Sequence, residues 1–203
     1  MDPPIDPASG SAAAALDSDP FYRCIAVEFA ADGVRRRAAL SRYMDYSIAQ
    51  GLRIGRVVHL EAPALGVAIW GLPQSPQIQE REAEHKRIYL QRLLGEAGCR
   101  NYETIVDYMS RRARTAVGQG AWYLSILAVD PQEQGRGLGT RLLAPTLAEA
   151  DSVGRVCYLE TFGPESPRFY ERFGFITRAE FIEPTTGSPY IVMMRQPQPA
   201  ATV

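Results

Sequence analysis

Two clusters in the second half of the chain have residue types and a spacing that could do chemistry. The first is Gln134-Gly135-Arg136-Gly137-Leu138-Gly139-Thr140, which joins an apolar run to a helical one. The N–H groups of such a loop can all turn toward one anion, and the positive end of the following helix adds to their field. A pyrophosphate suits that arrangement. The second cluster follows the next strand and comprises Glu160-Thr161 and then Phe169-Tyr170-Glu171-Arg172-Phe173-Gly174-Phe175. It offers a carboxylate that could accept a proton, a phenol that could give one, and an aromatic wall.

Each cluster has a plainer reading. The loop lacks the lysine of G-x-x-x-x-G-K-[ST], which disfavours a triphosphatase loop. It reads G-x-G-x-G rather than G-x-G-x-x-G and lies past mid-chain, which disfavours a dinucleotide fold. Taken alone, it is either an anion cradle or a turn whose glycines supply φ > 0. Tyr170 alone is either an acid or an aromatic packed beside Phe169, Phe173 and Phe175. Glu160 is either a base or a structural carboxylate bonded to loop amides near Gly163. His59 and His85 read as structural. Cys157 has no histidine near it in sequence, so an acyl-cysteine route is disfavoured.

The elements that must position these residues follow from periodicity. Residues 122–129 form a nearly continuous apolar run, as expected of a central strand covered on both faces. The glycine loop then opens a helix reaching about Ala150. A strand is expected over 155–161, a short helix over 166–173, and strands over 175–182 and 190–194. Upstream, residues 34–50 are helical with Leu40, Tyr43, Met44 and Ile48 inward, and Gly51 is the stop. Strands are expected at 57–60 and 66–70. A helix over 78–94 should end at Gly95, and another should start with Asn101 as N-cap. Residues 1–17 have little to bury and read as a flexible tail or a short, poorly held helix, and 196–203 as a loose tail. The remainder, 18–195, makes one domain.

Composition narrows the class. A 203-residue chain that is 46% apolar suits a single sizeable core. With a net charge of -1, no general field favours nucleic acid or an anionic membrane. Cys24, Cys99 and Cys157 are scattered, so neither a metal site nor a disulfide framework is expected. The Met1-Asp2-Pro3-Pro4 start does not look like a signal peptide, and a cytoplasmic protein is the expectation.

In order and spacing, the glycine loop, Glu160-Thr161 and the F-Y-E-x-x-G-F run resemble the acetyl-CoA site of the GNAT superfamily of N-acetyltransferases. Residues 122–139, Tyr158-Leu159-Glu160-Thr161 and 169–175 are similar to its small-molecule branch, which contains puromycin N-acetyltransferase. Gly66 to Trp70, Pro73 and Pro145 match as well. The resemblance implies an α/β fold: a mixed, mostly antiparallel sheet of six or seven strands flanked by helices, with two splayed central strands. It implies acetyl-CoA as co-substrate, no metal, and a small-molecule amine as acceptor, in a monomer or homodimer. The backbone at Leu127, Ala128 and Val129 would hold the thioester carbonyl and the pantetheine arm. Residues Gln134, Gly135, Arg136, Gly137, Leu138, Gly139 and Thr140 would cradle the pyrophosphate, flanked by Phe169.

In that chemistry Tyr170 is the expected acid. A free thiol has a pKa of about 8.5 and a phenol about 10, so tyrosine stays protonated at neutral pH yet can protonate the departing sulfur. Glu160 is the expected base, because an amine like that of lysine is only about one part in a thousand neutral at pH 7.4. Trp70, Trp122, Tyr123 and Tyr43 could line an acceptor pocket. Two alternatives stay open: acetylation of a protein N-terminus or lysine, and a non-catalytic acyl-CoA-binding module.

Overall fold

Apolar stretches long enough to cross the sheet alternate along this chain with helices that are apolar on one side. The computed structural model describes residues 2–163 and 165–199. Helices α1 (Ser9–Leu16), α2 (Pro20–Ile25) and α3 (Gly33–Ile54) come first, then strands β1 (Gly55–His59) and β2 (Gly66–Gly71). The long α4 (Pro76–Val117) leads into β3 (Trp122–Val129), α5 (Leu138–Ser152), β4 (Cys157–Thr161), α6 (Ser166–Glu171), β5 (Ile176–Glu183) and β6 (Ser188–Arg195). The six strands form one sheet in the order β1-β2-β3-β4-β6-β5, in which only β3 and β4 run parallel. This is the expected α/β sheet.

Each face of the sheet has its own core. On one face, Leu40, Met44 and Ile48 of α3 and Leu90, Leu94 and Ile105 of α4 pack on Val67, Ile69, Ile126 and Val192. On the other, Leu142, Leu143, Leu147 and Ala150 of α5 pack on Trp70, Leu124, Leu159 and Met193. Removing this apolar surface from water is the main stabilising term.

Three sequence expectations need correction. Residues 9–16 are a helix rather than a tail, with Ala8, Ala12 and Ala13 buried. Small side chains let α1 approach α3 and β3 closely, so a composition with little to bury still packs. The segment is also tied by polar contacts: the Asp6 amide donates to Asp45 Oδ1 at 2.8 Å, and Asp6 meets His59 Nε2 at 3.1 Å. Gly95 ends the first helical stretch of α4 as expected, its φ of 73° and ψ of -177° being non-helical, but a second stretch begins directly after this kink. Asn101 is therefore not an N-cap, and its amide instead donates to the Cys24 carbonyl at 2.8 Å, joining α4 to α2. Beyond β6, the Gln198 amide bonds Asp151 at 2.8 Å, so that end is held as well; the rest of the expected tail, 200–203, lies outside the described residues.

Candidate active site

The site begins with a fault in β3. Its pairing to β2 runs in register from Val129 to Ile126, then skips Ser125 before Leu124 meets Trp70. Ser125 is the extra residue of a β-bulge, which bends a strand and sharpens its twist. The bulge also switches faces: Trp122 and Leu124 point to the α5 core, whereas Ile126 and Ala128 point to the opposite one. The parallel pairing of β3 to β4 stops at the same place. It holds for Trp122, Tyr123 and Leu124 against Cys157, Tyr158 and Leu159, and no pair follows among the described residues. The two strands then diverge, and backbone groups of residues 125–129 on that edge are left without a strand partner.

A cavity of about 800 Å³ opens at this gap. Its floor carries Tyr123, Ser125, Leu127, Tyr158 and Glu160. Its walls come from α2, α3 and α4, with Tyr22, Tyr43 and Tyr102 prominent, and Tyr170 stands beside the gap. Tyr123 and Tyr158, register partners on the same face, stack with centroids 4.7 Å apart.

Glu160 lies within this aromatic surround. Its Oε1 is buried and has no hydrogen-bond partner among the described residues. Burial pushes its carboxyl up from the usual 4.5 to about 7, with the Tyr123 phenol pulling the other way. A carboxylate of that affinity is half ionised near neutral pH, which suits a proton acceptor. The reading of Glu160 as bonded to loop amides near Gly163 finds no support, since the Gly163 amide donates to Thr161 Oγ1 at 3.2 Å.

Tyr170 leaves α6 toward the same cavity, with Phe169 edge-on at 5.1 Å and Phe175 at 5.9 Å. Burial raises its pKa well above that of a free phenol, so it remains a proton donor at any physiological pH. Its ring packs against these neighbours while its hydroxyl stays protonated.

The glycine loop has the form of an anion cradle. From Gln134 to Thr140, no backbone N–H finds an acceptor among the described residues, and the run ends in the first turn of α5. Gly137 caps that helix with φ 77°, and neither it nor Gly135 has a heavy atom within 4 Å of where a Cβ would stand. Gly139 differs, because a Cβ there would meet Phe169 Cζ at 2.9 Å. Its smallness lets Phe169 press on the loop and join it to α6. Gln134 Nε2 donates to the Val129 carbonyl at 3.2 Å, and Arg136 pairs with Glu133 at 2.8 Å, so both side chains shape the turn.

The other candidates divide. Tyr43, Trp70 and Tyr123 line the cavity, but Trp122 is buried in the α5 core. Ala128 and Val129 lie beyond the cavity wall, on the strand leading to the loop. Cys157 is buried, its thiol pushed up to about 12, and so it is inert as a nucleophile. Sequence reasoning missed Asp19, Ser47, Lys86 and Tyr102, which α2, α3 and α4 bring to the cavity. One of them had a compositional signal, since Lys86 is the single lysine in a chain with 21 arginines.

Residues 84–177 match the acetyltransferase (GNAT) domain family. An uncharacterized N-acetyltransferase of Schizosaccharomyces pombe is 30% identical over 80 residues, which are 38% of this chain and 32% of that protein. The chain thus matches about a third of the length of that curated relative. An acetyltransferase of Corynebacterium glutamicum, described as histone acetyltransferase HPA2 and related acetyltransferase, superposes with a TM-score of 0.60 at 22% identity, over 93% of this chain and 88% of its own. Arylalkylamine N-acetyltransferase 2 of Aedes aegypti superposes with a TM-score of 0.55 at 16% identity, over 77% and 80%. At these identities the likeness is one of fold.

Proposed function

Starting from a chain that carries a GNAT acetyltransferase domain, an acyltransferase module, we propose that it moves the acetyl group of acetyl-CoA to the primary amine of a small molecule. The transfer is by direct attack in a ternary complex, and the chain belongs with the branch that contains puromycin N-acetyltransferase. The observation that carries this reading is the meeting of Glu160 and Tyr170 in one aromatic-walled cavity, where β3 and β4 part.

The residues present fit the co-substrate. Seven consecutive free amides over 134–140, with open space at Gly135 and Gly137, would hold a pyrophosphate. The unpaired edge of β3 at Leu127, Ala128 and Val129 would hold the thioester carbonyl and the pantetheine arm, with Phe169 flanking. Bound acetyl-CoA supplies the acyl group and a thiol leaving group. Glu160 takes the proton of the incoming ammonium, directly or through a water, and its raised pKa makes it strong enough to do so near pH 7. Tyr170 holds its proton until the sulfur needs it. A fixed backbone N–H near Leu127 stabilises charge on the carbonyl oxygen without reorganisation.

A basic peptide acceptor would call for carboxylates along the cavity. Apart from Glu160, Asp19 is the only one in the walls among the described residues, and the rest is mainly phenols and apolar groups. This favours a small acceptor over a protein tail. The test is an acetyl-CoA-dependent thiol-release screen over a panel of amines, puromycin included, with the N-acetyl product confirmed by mass. Acetyl-CoA binding without turnover on any amine would replace this reading with a binding module.

A further inference from the structure

The cavity contains a cation that the acetyl-transfer chemistry does not use. Lys86, the one lysine of the chain, lines the wall opposite the sheet, and its Nζ sits 5.1 Å from the Tyr43 ring centre and 5.2 Å from that of Tyr102. Two aromatic faces stabilise an ammonium that has given up part of its water. The ring faces themselves accept none of its three N–H donors, of which the Tyr43 hydroxyl can take one, leaving the others for a ligand. The neighbour one turn back, Glu82, is committed elsewhere: it meets Arg53 at 2.9 Å and Arg81 at 3.7 Å. Among the described residues Lys86 has no carboxylate partner. Every other basic side chain except the histidines is arginine.

The charges around it set the class of ligand. Tyr22, Tyr43, Tyr102, Tyr123, Tyr158 and Tyr170 are all kept neutral by burial. The ionisable groups left are Glu160, Asp19 and Lys86. Asp19 already accepts the Phe21 amide at 2.8 Å as the cap of α2. Glu160 suits an amine. Lys86 then suits a single negative charge, since a dianion would meet Asp19 and Glu160 in the same space. Phe21, Tyr22, Tyr43 and Tyr102, in edge-on contact with one another, line the cavity with aromatic rings on the Lys86 side.

Building on the acetyl-transfer reading, we propose that the acceptor is an aromatic amine that also carries a carboxylate, and that Lys86 binds this carboxylate. Lys86 is thus a specificity determinant, apart from the groups that move protons.

The full chain can be tested in two ways. Because it has one lysine, growth with 13C-labelled lysine gives a single Cε signal. That signal should shift saturably on titration with tyrosine, tryptophan or 4-(aminomethyl)benzoate, and much less with tyramine, tryptamine or 4-methylbenzylamine. In the thiol-release assay, carboxylated members should be preferred in at least one of these pairs. Lys86→Met should remove that preference by lowering kcat/KM about 10- to 100-fold for the carboxylated member alone, the usual worth of a charge-assisted hydrogen bond. Lys86→Arg should retain part of it. A uniform preference for the neutral amines, a Lys86 signal indifferent to carboxylates, or a Lys86→Met loss shared equally by both members would overturn the proposal. A carboxylate-specific shift with no thiol release would leave carboxylate binding at Lys86 standing and sink the acetyl-transfer reading instead.

Discussion

Replacing Glu160 with glutamine removes a titration but keeps the shape of the side chain, and the structure gives the effect on stability a definite sign. The carboxyl is raised from 4.5 to about 7 in the folded chain by burial. Between those values the folded state holds a proton that the unfolded state has released, so stability falls as pH rises through this window and stays low above it. At about 1.4 kcal/mol per pH unit the loss is about 3 kcal/mol, most of it complete by pH 8. Glutamine does not titrate. Glu160→Gln should therefore match the wild type near pH 4.5 and exceed it at pH 8 by up to about 3 kcal/mol. For a chain of this size that corresponds to a rise in Tm of roughly 5–10 °C. The same change should lower the acetyl-transfer rate near neutral pH by about 10²- to 10⁴-fold, a deficit that shrinks as pH rises and the amine loses its proton unaided. Melting curves from pH 4.5 to 8.5 beside a pH–rate profile measure both effects. A variant that melts lower at every pH, with a rate deficit that does not vary with pH, would show Glu160 to be structural and refute the argument.

Tyr170→Phe should leave fold and CoA binding intact and lower kcat by about 10²- to 10⁴-fold; an unchanged kcat with a good substrate would reduce Tyr170 to packing. Gly137→Val should weaken acetyl-CoA binding strongly in calorimetry, because Gly137 has φ 77° and opens onto the space beside the free amides; wild-type affinity would remove the loop from the site. Gly139→Val should act through another contact, displacing Phe169, and a crystal structure of the variant should show that ring moved. Ala12→Leu should cost about 1–3 kcal/mol in urea unfolding, since Ala12 is fully buried where α1 meets the core; no loss would mean that this helix is not docked in solution.

Local pattern in this chain determined what depends on neighbours in sequence. The apolar run over 122–129 is β3 to the residue, because a strand covered on both faces must be apolar on both. Glycines at 135 and 137 mark the turn, because both backbones have positive φ. Tyr170 and Glu160 were legible as an acid and a base, each with a plainer alternative that the sequence left open. Tertiary structure added the surroundings on which the choice between those alternatives depends. The raised pKa of Glu160 comes from its burial, which the Tyr123 phenol opposes, and both depend on strand register and the bulge at Ser125, neither of which has a local marker. One wall of the cavity comes from α2, α3 and α4, whose helical periodicity shows which side is buried but not against what. Lys86 lay in plain view as the only lysine, yet its meaning appeared only when Tyr43 and Tyr102 were placed around it. Alanine-rich residues 8–13 looked too small to hold a helix in place, because composition measures how much surface a side chain can bury and only the fold shows how closely two backbones approach.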